Sequence, residues 1–139
     1  MSDANVHEGG CLCGQVRYSF TGDPLLVALC HCTHCRKQGG APFSLVCAVA
    51  DEAYSEQGET RIYEDRGESG AAVYRHFCAT CGSPIRSMAA ALPGLTIVKA
   101  GTLDTPDQWP PVLEAYCDSA LNWMPTITDQ RFARSNIGE

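Results

Sequence analysis

The chain has 139 residues with 45% hydrophobic and 19% charged side chains, enough apolar material for one core and too much for a disordered chain. Its 16 acidic and 10 basic residues leave a formal charge of −6, which provides no basic face for nucleic acid and argues against such a partner. No apolar run approaches the roughly 20 residues that cross a bilayer, and residues 1–10 hold no apolar signal core, so the reading is a soluble, cytoplasmic protein with no membrane partner.

In chain order, the first strand signal is residues 15–20, where polar Gln15, Arg17 and Ser19 alternate with apolar Val16, Tyr18 and Phe20. That is the period of a strand with one buried face. Residues 25–30 and 43–50 are short apolar runs that suit buried strands, and residues 60–63, 71–77 and 95–100 add further ones. No long stretch keeps a helical period. Glycine and proline turn signals separate the runs at residues 22–24, 39–42, 67–70, 82–84 and 93–94. Short strands with regular breaks predict a mainly β, mostly antiparallel single domain. Residues 106–111 are too proline-rich for more than a loop or a short helical turn, and residues after Asp129 are expected to fray.

Nine cysteines, at positions 11, 13, 30, 32, 35, 47, 78, 81 and 117, form an odd set in a chain read as cytosolic. There, close pairs mark metal or redox chemistry more often than disulfides. Seven are clustered: CxC at Cys11 and Cys13, CxCxxC at Cys30, Cys32 and Cys35, and CxxC at Cys78 and Cys81. On an extended strand Cys11 and Cys13 point to one side while Leu12 turns to the apolar side. Cys78-Ala79-Thr80-Cys81-Gly82 supplies a tight turn with two more thiolates and a glycine placed for a positive φ. Two plus two closes a tetrahedral zinc site with no room for substrate, the mark of a structural ion. Cys30, Cys32 and Cys35 have no fourth cysteine close in sequence, and three protein ligands leave one position for water or substrate, as in a catalytic zinc. The competing reading is that His31, His34, His76 or a stray cysteine closes this second site. His31, between two ligands of an extended CxC, should point away from their metal.

Four ordered motifs run from about Gly9 to Trp123: Gly10-Cys11-Leu12-Cys13-Gly14, Cys30-His31-Cys32-Thr33-His34-Cys35-Arg36-Lys37 followed by Gly40, Phe77-Cys78-Ala79-Thr80-Cys81-Gly82-Ser83, and Gly101-Thr102-Leu103-Asp104. Together they resemble the glutathione-dependent formaldehyde-activating enzyme family, which also contains centromere protein V. The resemblance implies zinc-bound coiled antiparallel sheets, a β-tent similar to that of methionine-R-sulfoxide reductases, over residues 7–135. It implies two zinc ions, a structural one on Cys11, Cys13, Cys78 and Cys81 and a catalytic one on Cys30, Cys32 and Cys35. It further implies a carbon–sulfur lyase of the S-hydroxymethylglutathione synthase type, with glutathione or another small thiol as partner. One departure stands out. Glu114, in the segment that looks like the family's C-terminal strand, occupies a place where many members have histidine, so no role of that histidine carries over.

Arg36 and Lys37 follow the second cluster and could bind a substrate carboxylate, of which glutathione has two. Gly40 could admit a close substrate approach. Lys99 is expected on an exposed strand face rather than in the pocket, Trp123 and Phe43 in the core, and Cys47 and Cys117 as inert packing residues. The leading functional reading is thiolate addition to an aldehyde carbon, or its reverse, at the second zinc. The competing one is a non-catalytic, zinc-stabilised binding module.

Overall fold

The computed structural model describes residues 5–67 and 70–134. Among them lie the strands β1 (Val6–Gly10), β2 (Arg17–Thr21), β3 (Leu26–Cys30), β4 (Ser44–Ala50), β5 (Tyr54–Gln57), β6 (Thr60–Arg66), β7 (Ala72–Cys78), β8 (Pro84–Ala89), β9 (Leu95–Lys99), β10 (Leu113–Ala115) and β11 (Gln130–Arg131). Three strands, ordered β1-β2-β5, form a small antiparallel sheet, and the other eight form a second sheet ordered β11-β10-β3-β4-β9-β8-β7-β6. The expected mainly β, single-domain architecture is present. Every run read as a strand contributes one, and β10 falls where the resemblance placed a C-terminal strand; β1, β5, β8 and β11 carry no strand signal of their own, being short or too polar to stand out.

The alternation in residues 15–20 does what its period requires: Val16, Tyr18 and Phe20 are buried while Arg17 is exposed. These side chains cover one face of the larger sheet, meeting Val27 of β3, Cys47 and Val49 of β4 and Val98 of β9 in the core. The remaining residues of the same central strands face the other way. Strands such as β3 are apolar throughout because one face packs in the core and the other lines a cavity.

Several expectations need correction. The larger sheet is mixed and not wholly antiparallel, because β10 runs parallel to both β3 and β11: the chain leaves β9 and crosses to the far edge of the sheet, where it enters beside β3 in the same direction. A seven-residue helix, α1 (Thr33–Gly39), follows β3; it is too short to show a helical period. The chain does not fray at Asp129, since β11 pairs with β10 and the Phe132 N–H donates to the Glu114 carbonyl at 2.9 Å; residues 135–139 lie outside the described part. Trp123, expected in the core, is 69% exposed on the irregular segment that follows β10. No helix among the described residues is long and apolar enough to cross a membrane.

Candidate metal and thiol site

The first cluster joins two turns. Cys11 and Cys13 sit in the turn after β1, not on a strand, and Leu12 at its tip is 90% exposed instead of turning to the apolar side. The curvature of the turn, not strand alternation, directs both sulfurs to one place. Cys78 ends β7, and the chain reverses into β8 with the Gly82 N–H donating to the Cys78 carbonyl at 3.0 Å and Gly82 at φ 82°, a left-handed conformation suited to glycine. Within this turn the Thr80 and Cys81 N–H groups donate to Cys78 Sγ at 3.3 and 3.4 Å, and the Val16 N–H donates to Cys11 Sγ at 3.2 Å. Such bonds favour thiolates. The Ser83 hydroxyl pulls the Cys81 thiol down to about 5.

All four sulfurs of Cys11, Cys13, Cys78 and Cys81 lie within 4.8 Å of one another. Sulfurs bound at about 2.3 Å to one tetrahedral ion stand about 3.8 Å apart. The Cys11–Cys13 and Cys13–Cys78 sulfur separations are 3.6 and 3.8 Å, far longer than the roughly 2.05 Å of a disulfide. The donor set and its spacing fit a tetrahedral thiophilic ion.

The second cluster is built on the end of β3 and the start of α1. Cys30 closes the strand. Cys32 is the helix N-cap, its sulfur accepting from the Cys35 N–H at 3.1 Å, the role that serine or aspartate usually plays. Cys35, one helical turn on, returns its sulfur to the same point. These three thiols also lie within 4.8 Å of one another, and no further His, Cys, Asp or Glu among the described residues joins the group. His31, His34 and His76 are outside it. His31 does point away, on the opposite side of the chain, where its Nε2 meets Glu114 Oε1 at 2.8 Å.

With both clusters in view, comparison with known proteins is informative. The family model described as glutathione-dependent formaldehyde-activating enzyme matches residues 6–119, well over half the chain. The chain belongs to this family. A crystal structure of a Rhodobacter sphaeroides protein, a structural-genomics target, is similar over 70% of this chain and 87% of its own, with 20% identity and a TM-score of 0.54. That likeness shows the fold alone. No curated protein matches the chain.

In this member of the glutathione-dependent formaldehyde-activating enzyme family, the three-thiol cluster opens onto a cavity of about 470 Å³ and the four-thiol cluster does not. Lys99, expected to be exposed, is only 7% exposed and lines this cavity, with Nζ donating to Ser44 Oγ at 3.0 Å. The β9 register, which pairs Lys99 with Val46, turns it to the cavity face. Buried Arg75 of β7 lies beside it, donating from Nε to Asp65 Oδ2 at 2.9 Å and from Nη1 to Cys35 Sγ at 3.8 Å. Hydrogen bonds from Cys30 and Cys32 pull the Cys35 thiol well below its usual range, with Lys99 and Arg75 adding to the effect. Two buried cations are costly unless opposed by negative charge, so their presence here matches an anionic sulfur cluster. Replacing Lys99→Met should raise the thiol pKa values and shift the midpoint of cobalt uptake at this cluster upward by about one pH unit, read from the sulfur charge-transfer band.

Arg36 and Gly40 are not among the residues that line the cavity. Arg36 lies in the last turns of α1, and Gly40 is that helix's C-cap, at φ 70° with its N–H donating to the Arg36 carbonyl at 2.8 Å. The cationic groups at the cavity are instead Arg75 and Lys99, both distant in sequence from the motif they serve. His34 also lines the cavity, with Nδ1 2.7 Å from Asp65 Oδ2. Asp65 thus binds His34 and Arg75 together. An Asp–Arg–His set scattered over residues 34–75 has no spacing signature, though His34 lies inside the CxCxxC motif and was visible there.

Glu114 is fully buried against His31, with Cys117 nearby. Its Oε2 accepts from the Ile127 and Thr128 N–H groups at 3.2 and 2.9 Å and from the Thr128 hydroxyl at 3.0 Å. It therefore ties the C-terminal segment and the residue between Cys30 and Cys32 to β10. Burial opposes its ionisation, but the bonds from Thr128 and His31 outweigh this and hold the carboxyl at about 2. Glu114→Gln should destabilise the fold by about 3–5 kcal/mol, the usual cost of breaking a buried pair. Because the folded pKa is depressed, the stability gap to wild type should be constant above about pH 4.5 and narrow as pH falls toward 2. Urea unfolding across that range measures both effects.

Proposed function

We propose that this protein is a zinc-dependent carbon–sulfur lyase or synthase acting on the adduct of a small thiol, in the manner of S-hydroxymethylglutathione synthase, with residues 7–135 as its zinc-binding domain. Cys11, Cys13, Cys78 and Cys81 hold a structural zinc, and Cys30, Cys32 and Cys35 hold the second. The observation that carries this reading is the contrast between the two clusters: four thiols closed on themselves away from the cavity, and three thiols facing it beside Lys99 and Arg75.

A zinc held by Cys30, Cys32 and Cys35 would supply a Lewis-acid position that lowers the pKa of a substrate thiol, whose proton would leave to solvent. Lys99 and Arg75 offset the negative charge that a fourth sulfur brings. The aliphatic wall of the cavity lowers the local dielectric, which strengthens these interactions. In the synthetic direction the substrate sulfur adds its electron pair to the aldehyde carbon, the C=O π pair moves to oxygen, and that oxygen takes a proton to give the hydroxymethyl thioether. His34, which lines the cavity and is held through Nδ1 by Asp65, is the group we assign to deliver that proton. In the reverse direction it removes the proton and the carbon–sulfur bond breaks.

The test uses cobalt in place of zinc. Glutathione should strengthen the sulfur-to-metal charge-transfer band, and S-methylglutathione, which keeps both carboxylates but has no thiol, should not. A spectrum indifferent to every small thiol, in protein carrying two metals, would instead favour the non-catalytic binding module.

A further inference from the structure

The cavity surface beyond the thiols is aliphatic. At alternate positions β3 presents Cys30, Ala28 and Leu26, beside Val46 and Ala48 of β4 and Ile97 of β9, all lining the same cavity. Four residues of strand at about 3.3 Å each extend this wall about 13 Å from Cys30 to Leu26. Polar residues are the minority of the lining, with Thr33, Tyr116 and Ser119 among them, and its charged side chains and histidine are engaged within the protein: Lys99 with Ser44, and Arg75 and His34 with Asp65. Ser87 also lines the cavity, and its buried hydroxyl has no partner. Glutathione would bring two carboxylates, an ammonium and two amides to walls made of methyl groups, and polar groups buried without partners lose affinity.

We infer that the thiol this site takes carries an aliphatic chain, not a peptide, with its sulfur at Cys30, Cys32 and Cys35 and its chain lying over Ala28 toward Leu26 and Ala48. The inference rests on reading the three-cysteine cluster as a thiol site, and it names the substrate class of that site.

Calorimetry on the metal-loaded protein in a phosphine reductant tests it, with the straight-chain thiols from ethanethiol to octanethiol, the matching alcohols, and glutathione. Each buried methylene is worth about 0.8 kcal/mol, so the dissociation constant should fall about fourfold per methylene until the chain spans the wall. Hexanethiol should bind more tightly than glutathione. Ala48→Phe fills the far part of the cavity and should cut octanethiol affinity at least tenfold while leaving ethanethiol unchanged, which also reports that the variant is folded. Thiol affinity independent of chain length, or glutathione binding more tightly than hexanethiol, overturns the aliphatic assignment and leaves the thiol reading intact. Alcohols that bind as tightly as thiols of equal length overturn the thiol reading on which the inference rests.

Discussion

Cys78→Ser is expected to leave the chain insoluble or unfolded. Cys78 and Cys13 are 65 residues apart in sequence, and their sulfurs stand 3.8 Å apart. They join the β1–β2 turn of the small sheet to the β7–β8 turn of the large one, and the small sheet covers the core. On the proposed assignment, the ion at this junction contributes about 10 kcal/mol or more of binding free energy that is also folding free energy. A domain of this size has a total stability of only about 5–15 kcal/mol, so losing the ion removes most or all of it. Soluble yield and a circular-dichroism melting curve are the measurements, and a strong chelator should reproduce the effect on wild type. A soluble Cys78→Ser protein with an unchanged melting curve would remove the structural role.

Cys32→Ser is expected to have the opposite profile: loss of one metal equivalent and of at least a thousandfold in any thiol-dependent activity, with the fold retained. Losses on this scale accompany removal of groups that act only as part of a catalytic unit. The substitution is selective because serine is itself a favoured N-cap. It can still accept the Cys35 N–H that Cys32 accepts now, so α1 keeps its start and only the sulfur proposed to bind metal is lost. Metal content by atomic spectroscopy and melting temperature together separate the cases. If Cys32→Ser and Cys78→Ser destabilise equally, both ions are structural and the second cluster is not a reaction site.

What could be read without the fold is whatever is encoded over a few residues. The two members of CxxC at Cys78 and Cys81 meet within one turn, and Gly82 marks that turn because its backbone needs a positive φ. The CxCxxC group is likewise local, one strand end and one helical turn, so its three sulfurs converge whatever surrounds them. The period of residues 15–20 assigned the buried face of β2 correctly, since Val16, Tyr18 and Phe20 need only alternate. Joining Cys11 and Cys13 to Cys78 and Cys81 was legible from ligand count, because four thiolates complete a tetrahedron and two do not.

The rest depended on register and topology, which no local window carries. Arg36 adjoins the thiol motif in sequence yet is not among the cavity residues, whereas Lys99 and Arg75 reach it because β9 and β7 pair in registers that turn them to that face. A one-residue slip would have reversed both. The same pairing places Ser87 of β8 between Arg75 and Ile97, on the cavity side. Glu114 meets His31 only because β10 crosses the sheet to run parallel beside β3. Leu12 is exposed because its cysteines are gathered by a turn and not by strand alternation. The sequence by itself therefore determined the cysteine groups and the β character of the chain, since both are set by contacts a few residues apart. Only the tertiary structure decided which cations, which histidine and which apolar wall face the thiols, since those neighbours are chosen by strand pairing over tens of residues.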